Sequence, residues 1–226
     1  MQKGKLYIVA TPIGNLSDMT LRAIEVLKSV AFVLSEDTRE SKKLLDRYEI
    51  PTQLISYRDQ NHERVIGKVL EKLDMGLDLA LISDAGTPLI SDPGFKLVRD
   101  LREKGYDVVS IPGASAVIAA LSVSGLPTDR FVFLGFLPKS DERRRKLLEQ
   151  YVNLENTIVI YESPQRLTRL LELILNEFRD MDVYLAKDIS KMREESFSGK
   201  ISDVLEQLEE RKFDENPHGE FVCVSR

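Results

Sequence analysis

Short apolar runs alternate with amphipathic segments through the first half of the chain, and this alternation constrains the fold more than any other feature of the sequence. The runs Leu6–Ala10 and Val30–Ser35 are apolar at nearly every position, whereas Leu21 and Leu27, between them, stand at helical spacing. Strands that are apolar on both faces are typical of a parallel sheet with helices on both sides. The sequence therefore predicts an α/β fold whose N-terminal lobe contains a mainly parallel sheet.

A breaker segment, Ser124–Pro127, separates this half of the chain from the next. We therefore expect two lobes, an N-terminal one over residues 1–124 and a C-terminal one over residues 125–226. The strand-like segments of the second half include Phe131–Phe136, Ser196–Gly199 and Glu220–Ser225. Taken together, the later strands alternate polar and apolar residues more than the earlier ones do, as in Ser196–Gly199. This pattern predicts a mixed sheet with antiparallel members in the C-terminal lobe.

The composition excludes several classes of protein. A net charge of −5 disfavours a protein that coats nucleic acid without specificity, although a local basic patch is still compatible with one RNA site. One cysteine and two histidines are too few for a structural zinc site, and no metal is expected. No apolar run approaches the ~20 residues that span a bilayer, and the N-terminus lacks the features of a signal peptide. We therefore expect a cytoplasmic protein without a membrane segment.

Three loops that follow predicted strands combine glycine or proline with small hydroxyl or amide residues: Thr11–Asn15, Ser83–Gly94 and Pro112–Ser115. Ligands of open parallel sheets bind at the carboxyl ends of the strands, where glycine permits close approach and short polar side chains supply hydrogen bonds. None of the loops contains a dinucleotide fingerprint or a P-loop, so the pattern favours a small ligand without a polyphosphate. Asp84 is the predicted anchor for that ligand, and Asp92 is the predicted N-cap of the next helix.

Six segments of the chain match one family, and they occur in the family's order. They are Leu6–Leu16, Glu36–Arg39, Ser83–Gly94, Pro112–Ala116, Gly135–Pro138 and Tyr161–Pro164. Together they resemble the family of ribosomal small-subunit methyltransferase I, the 16S rRNA (cytidine-2′-O)-methyltransferases, within the tetrapyrrole (corrin/porphyrin) methylase superfamily. The resemblance covers essentially the whole chain, and Ser83–Gly94 is its most specific segment.

The resemblance implies two α/β lobes of the tetrapyrrole methylase type, with S-adenosylmethionine bound in the cleft between them and usually with two chains in a homodimer. It also implies that the substrate is 16S rRNA, either free or in the small ribosomal subunit. The family's cofactor contacts fall on the following residues of this sequence: Pro12, Ser83, Asp84, Ala85, Thr87, Pro88, Ser115, Ala116, Tyr161 and Glu162.

Methylation of a ribose 2′-hydroxyl needs a group that removes or polarises the proton of that hydroxyl. The segment Glu36–Arg39 follows a predicted strand and is the leading place for such a group. Asp37 is the first candidate for the base and Glu36 the second, while Arg39 is predicted to hold an RNA phosphate. The structural alternative for these residues is a salt-bridged loop end.

The densest basic segment of this acidic chain lies in the second lobe. Its residues Arg143, Arg144 and Arg145 are predicted to contact RNA phosphates, the alternative being a solvated helix face. Asn61 is predicted to lie at the substrate rim, and it also precedes a helix that it could cap. His62, beside it, is interpreted as a surface helix residue.

Two other functions compete with this one. A tetrapyrrole methyltransferase of the same superfamily would act on a carbon atom, but such enzymes typically carry Gly-x-Gly-Pro-Gly and Gly-Asp-Pro loops, where this chain has Thr11–Asn15 and Ser83–Pro88. A noncatalytic RNA-binding module on an inherited fold is the second alternative. The complete set of loops that match cofactor loops argues against it.

Overall fold

The computed structural model of the protein describes residues 3–226 and divides the chain into two compact units. The first unit ends at Ser115, and the second covers Ala116–Arg226. The boundary expected from the sequence, after residue 124, instead assigned the helix Ala116–Val123 to the first unit. That helix lies in the second unit because its buried side chains pack against Val222 and Val224 of the last strand.

The first unit contains a five-stranded parallel sheet with the strand order β3-β2-β4-β1-β5. Its strands are β1 (Leu6–Val9), β2 (Phe32–Ser35), β3 (Gln53–Ser56), β4 (Leu79–Leu81) and β5 (Val108–Ile111). The helices that connect them in turn are α1 (Leu21–Ser29), α2 (Thr38–Arg47), α3 (His62–Asp74) and α4 (Phe95–Glu103). Because all the strands run in one direction, the loops after them begin at one edge of the sheet.

Helices cover both faces of this sheet. Leu34 of β2 belongs to a core that includes Leu97 of α4, whereas its neighbour Val33 belongs to a separate core that includes Leu27 of α1. Both strand residues are fully buried, although successive side chains of a strand point to opposite faces. The double cover explains why the strand is apolar from Phe32 to Leu34, and it confirms the prediction of an α/β fold with a parallel sheet.

The second unit contains a mixed five-stranded sheet with the order β6-β7-β10-β8-β9. Its strands are β6 (Phe131–Phe136), β7 (Thr157–Glu162), β8 (Asp182–Lys187), β9 (Glu195–Lys200) and β10 (Phe221–Ser225). Its helices are α5 (Ala116–Val123), α6 (Asp141–Glu149), α7 (Pro164–Glu177) and α8 (Ile201–Glu210). Strands β6 and β7 are parallel, and the other pairs are antiparallel, as the sequence predicted for this half of the chain.

The two faces of this second sheet are covered unequally. On one face, strand residues such as Ile160 and Leu185 pack with Leu148 of α6, Leu171 of α7 and Val204 of α8. The opposite face packs against the single short helix α5. Of the residues of this unit that the sequence assigned to cofactor binding, Tyr161 and Glu162 end β7, and Ala116 begins α5.

The start of α4 differs from the prediction. Asp92 was expected to cap this helix, but the N-cap is Gly94 and the helix begins at Phe95. Gly94 has φ of +131°, and a Cβ atom there would lie 2.7 Å from Leu81 Cδ2, so a side chain would be strained and would clash. The tight turn at this glycine moves the helix start past Asp92 and leaves that carboxylate within the loop.

No helix in residues 3–226 combines the length and apolar character needed to cross a membrane. The same part of the chain contains no group of three or more histidine, cysteine or acidic side chains arranged to hold a metal ion.

Candidate active site

Three loops meet at the carboxyl edge of the parallel sheet in the first unit. Thr11 and Gly86 exchange two backbone hydrogen bonds with N···O distances of 2.9 and 3.1 Å, which join the loop after β1 to the loop after β4. The Thr87 hydroxyl donates to the carbonyl of Ala114 at 3.1 Å, which joins the loop after β5 to the same structure. The Ser83 hydroxyl donates to the carbonyl of Gly86 at 3.3 Å. The three loops predicted from the sequence therefore form one connected edge.

The predicted cofactor residues on these loops differ in exposure. Asp84 and Ala85 are exposed at the edge. The others are buried or partly buried: Pro12, Ser83, Thr87, Pro88 and Ser115. The hydroxyls of Ser83 and Thr87 donate to loop carbonyls, so their first role is to shape the loops. Asp84 is the member of this set that offers charge to solvent or to a ligand.

Three carboxylates belong to this edge, those of Glu36, Asp84 and Asp92. The Asp84 carboxylate accepts a hydrogen bond from the backbone nitrogen of Asp37 at 3.2 Å, which brings the loop after β4 to the end of β2. Burial of Asp92, followed by the negative charges of Glu36 and Asp84, raises the pKa of Asp92 from 3.8 to about 6. Such an acid is ionised at neutral pH and is a stronger base than an ordinary aspartate.

Asp92 was not among the candidates for proton transfer that were predicted from the sequence. An acid followed by proline and glycine resembles a helix cap, and that local pattern outweighed its position in a ligand loop. No hydrogen bond or ion pair holds its carboxylate within residues 3–226. The usable signal was its place in the same loop as Asp84, eight residues further along.

Asp37, the leading candidate for the base, is already engaged. Its carboxylate accepts a hydrogen bond from the backbone nitrogen of Arg39 at 2.9 Å and so caps α2. It also pairs with the guanidinium of Arg39 at 2.8 Å. The side-chain hydrogen bond from Arg39, and then the backbone one, hold the pKa of Asp37 far below its usual range. A carboxylate with such a low pKa accepts a proton poorly, and the salt-bridged loop end proposed as the alternative describes the geometry better.

A buried chain of polar side chains holds the end of the loop after β4. The backbone nitrogen of Gly94 donates to Asp59 Oδ1 at 3.2 Å, and the Tyr57 hydroxyl donates to the same oxygen at 3.3 Å. The Tyr57 hydroxyl lies 3.0 Å from His62 Nδ1, and His62 Nε2 lies 2.9 Å from Asp100 Oδ2. His62 is 2% exposed, so its interpretation as a surface residue is wrong. The partner that buries it lies on α4, far away in sequence.

Both polar atoms of the Asn61 carboxamide form hydrogen bonds with nearby backbone atoms. The oxygen accepts a hydrogen bond from the backbone nitrogen of Arg58 at 2.9 Å, and the nitrogen donates to the carbonyl of Ser56 at 3.2 Å. These bonds shape the turn that leads into α3, although the side chain makes no capping bond to the helix itself. These contacts hold the partly buried Asn61 in the turn, and its place at the substrate rim stays a prediction.

In the second unit, Glu162 ends β7 and is fully buried. Its carboxylate accepts hydrogen bonds from Arg166 Nε at 2.7 Å and from the backbone nitrogen of Ser163 at 2.8 Å. Arg144 Nη2 lies 3.9 Å from its other oxygen. The side chains of Glu162 and Arg144 are 0% and 1% exposed. Neither faces solvent, so the predicted cofactor contact of Glu162 and the predicted RNA contact of Arg144 are replaced by an internal ionic cluster.

The remaining predicted residues of this unit are accessible to different degrees. Arg143 is exposed, and Arg145 is partly buried and lies 3.8 Å from Glu149. Arg145 also lines a groove of about 420 Å³ between α6 and α7. Tyr161 and Ala116 are partly buried, Tyr161 beside the aromatic side chains of β6. The consecutive arginines of α6 therefore point in three directions and do not form one basic face.

Proteins of known families are similar to this chain in sequence. Residues 5–205 match the family model of the tetrapyrrole (corrin/porphyrin) methylases. The chain is 42% identical to a ribosomal RNA small subunit methyltransferase I of Thermotoga maritima, covering 98% of this chain and 97% of the relative. It is 46% identical to the protein of that name from a Hydrogenobaculum strain, covering 97% and 94%.

A solved structure shares the fold at low identity. The uroporphyrin-III C-methyltransferase of Thermus thermophilus, crystallised with S-adenosyl homocysteine, is 18% identical with a TM-score of 0.65, covering 98% of this chain and 97% of that one. A likeness at this identity concerns the fold alone. The family model covers most of the chain, and the relatives cover nearly all of it at more than 40% identity. The chain therefore belongs to the ribosomal RNA small subunit methyltransferase I family of the tetrapyrrole methylases.

Proposed function

We propose that the protein is an S-adenosylmethionine-dependent enzyme that methylates the 2′-hydroxyl of a cytidine ribose in small-subunit ribosomal RNA. One observation carries the proposal: identities of 42% and 46%, over at least 97% of this chain, to relatives named ribosomal RNA small subunit methyltransferase I. The solved tetrapyrrole methyltransferases that share the fold are 21% and 16% identical, a likeness that concerns the fold alone.

The chemistry of the strand-end edge in the first unit fits the cofactor. When bound, S-adenosylmethionine supplies a methyl group on a positively charged sulfonium, and it also carries an ammonium group and two ribose hydroxyls. The edge presents the carboxylates of Glu36, Asp84 and Asp92, which favour a cation and can accept hydrogen bonds. Exposed Asp84 and Ala85 are the proposed polar contacts, and Pro12 and Pro88 are the proposed apolar ones. Ser115, Ala116 and Tyr161 remain predicted contacts by family resemblance.

We assign proton removal to Asp92. The neighbouring negative charge of Glu36 helps to raise the pKa of Asp92. Asp92 has a raised pKa of about 6 and is half-buried, and in the part of the chain that the structure describes its carboxylate has no donor. Asp37 becomes a positioning residue, because it caps α2 and holds the guanidinium of Arg39. The exposed side chain of Arg39 is the proposed phosphate contact at this edge.

The family membership supports a ribosomal RNA substrate, and exposed apolar side chains support an assembly of two copies. We propose that the RNA reaches exposed Arg143 and partly buried Arg145 of α6 in addition to Arg39. We also propose a cytoplasmic homodimer. Ile118 and Val123 of α5 are 55% and 62% exposed, and such apolar side chains suit an interface between two copies. Sedimentation equilibrium at micromolar concentration tests the dimer, and a single monomer mass contradicts it.

The decisive experiment measures transfer of a labelled methyl group from S-adenosylmethionine to small ribosomal subunits from cells that lack the enzyme. Mapping of the labelled nucleotide should identify one cytidine with a 2′-O-methyl group. Methylation of a base would contradict the assignment to ribose. Calorimetry with the cofactor alone provides the second arm, because well-folded protein without detectable binding would favour the noncatalytic alternative.

A further inference from the structure

Two aromatic rings lie side by side at the ends of β6 and β7 in the second unit. The ring centroids of Phe136 and Tyr161 are 5.6 Å apart. Phe133 packs edge-on against the same tyrosine, with 4.8 Å between the ring centroids. Phe136 is 61% exposed, whereas Phe133 and Tyr161 are partly buried. The inner two rings thus support an outer ring that offers most of its surface to solvent.

An irregularity in β6 produces this arrangement. Phe133 is paired with Val159, but the next pair along is Phe136 with Tyr161, so three residues of β6 span two residues of β7. The bulge contains Gly135, whose φ of +62° is in the left-handed region that favours glycine. In a regular strand Gly135 would stand beside Tyr161, and Phe136 would point to the opposite face. The bulge places both phenylalanines on the face of Tyr161.

The buried ionic cluster fixes the backbone after both strands. Arg166 Nη2 donates to the carbonyl of Leu137 at 3.1 Å, and Arg144 Nε donates to the carbonyl of Pro138 at 3.4 Å. Both arginines also interact with Glu162, the residue after Tyr161. The segment that follows Phe136 is therefore held to the end of β7 through one carboxylate. A platform fixed in this way loses little conformational entropy when a ligand stacks on it.

Two exposed cations follow the outer ring in sequence, Lys139 and Arg143. Neither has a carboxylate within 4.0 Å among residues 3–226, whereas Arg145 and Lys146 of the same helix are both paired. Exposed aromatic rings and unpaired cations are a combination that binds single-stranded nucleic acid, in which bases stack on aromatic side chains and cations hold phosphates.

We propose that Phe136, supported by Tyr161, stacks on an unpaired base of the RNA substrate, with Lys139 and Arg143 at the flanking phosphates. The inference rests on the proposed function and names the residues that would recognise its substrate. The adenine of the cofactor has the same flat ring, but the cofactor has no phosphate for the two cations, so the RNA is the better occupant. Phe136 and Lys139 were absent from the substrate residues predicted from the sequence.

The test compares wild-type protein with the Phe136→Ala variant in methylation of small ribosomal subunits from cells that lack the enzyme. The expected result is a KM for the subunits raised about tenfold or more, since base stacking on one aromatic ring contributes about 1–3 kcal/mol. The Phe136→Tyr variant should restore a KM close to the wild-type value. An unchanged KM in Phe136→Ala overturns the inference. Absence of methyl transfer by the wild-type protein would instead reject the proposed function.

A fluorescence experiment distinguishes the two sources of a base. The chain contains no tryptophan, so Phe136→Trp introduces a single reporter at the platform. Titration with S-adenosyl homocysteine alone should leave its emission unchanged, while the variant retains a KM for the subunits close to the wild-type value. Strong quenching by this cofactor product would assign the platform to the cofactor and overturn the proposal. Phe131→Trp, at the other end of β6 and 43% exposed, is the matched control for both measurements.

Discussion

The carboxyl ends of parallel strands carry the candidate functional groups in both units, but the two units treat charge in opposite ways. In the first unit, the carboxylates of Asp84 and Asp92 stay at the edge without a cation among residues 3–226. In the second, the carboxylate of Glu162 is buried between two arginines, and the exposed cations Lys139 and Arg143 have no carboxylate within 4.0 Å among residues 3–226. The edge of the first unit thus suits a cationic ligand, and that of the second unit suits a polyanion. A sulfonium cofactor and RNA are ligands of these two kinds.

The largest effect should come from breaking the buried cluster. Arg144→Ala leaves Glu162 with an uncompensated side, so we expect a loss of about 3 kcal/mol in the free energy of unfolding and a melting temperature lower by about 6 to 12 °C. Chemical denaturation measures the loss directly. Arg143→Ala, the neighbouring residue on the exposed side of α6, is the matched control and should change stability by less than about 0.5 kcal/mol. Equal effects of the two variants would contradict the internal position of Arg144.

The next largest effect concerns the acidic edge. Asp92→Asn keeps the shape of the side chain but removes the base, so kcat should fall by about 100-fold or more while the affinity for S-adenosylmethionine changes little. Asp37→Asn is the comparison, because its carboxylate is held by Arg39 and its loss should act mainly through the start of α2. A larger fall of kcat in Asp37→Asn than in Asp92→Asn would return the role of base to Asp37.

The pH dependence of the reaction sharpens the same point. Because the pKa of Asp92 is raised to about 6, protonation below that pH removes the base, and kcat should decline as pH falls through about 6. An ordinary aspartate would keep the rate constant down to about pH 4. A kcat profile measured from pH 5 to 8 shows the difference. An unchanged profile in a residually active Asp92→Asn variant would assign the decline to another group.

A smaller effect is expected from the basic side of the comparison. The double substitution Lys139→Gln with Arg143→Gln removes two phosphate contacts, so the slope of log affinity against log salt should become shallower by about one to two. Binding of small-subunit RNA between 50 and 200 mM salt, as an experimental range, measures the slope. Lys146→Gln is the control, since this lysine already pairs with Glu142 and should alter the slope less. Identical slopes in wild type and the double variant would remove these cations from the interface.

The smallest effect is on stability at the acidic edge. The folded state raises the pKa of Asp92, so it binds a proton more tightly than the unfolded chain does, and stability contributed by this group falls as pH rises from about 4 to about 6. At neutral pH the ionised group therefore destabilises the fold. Asp92→Asn should raise the free energy of unfolding at pH 7 by about 1 kcal/mol, the full shift being discounted for partial exposure. The gain should vanish near pH 4.

Local patterns were enough to predict the elements that are determined by their own residues. The strand Phe131–Phe136 has the bounds expected from the sequence, because a change of polarity or a turn signal marks both ends. The loops after β1, β4 and β5 lie at one edge of the sheet, as expected from strands that run in one direction. The ligand role of Asp84 stays a prediction.

Residues whose environment comes from distant parts of the chain were misjudged. His62 is buried because Asp100, which lies on another helix, accepts its hydrogen bond. No residue near His62 in the sequence indicates this partner. Arg144 looked like its two basic neighbours, although it precedes the buried Leu148 by one helical turn and so shares its inward face. That spacing was a readable signal. The pairing of Arg144 with Glu162 was not, because it depends on how α6 lies against β7.

The extra residue in β6 has a consequence for how this surface can change. Side chains alternate along a strand, so the direction of every residue beyond the bulge depends on whether the number of preceding residues is even or odd. A substitution at Gly135 that disfavours its positive φ and makes β6 regular would pair position 135 with Tyr161 and turn the outer phenylalanine to the opposite face, without altering any aromatic side chain. The position of the aromatic platform therefore depends on the one extra residue that the bulge accommodates, and loss of the bulge would remove the platform while each ring persists in the sequence.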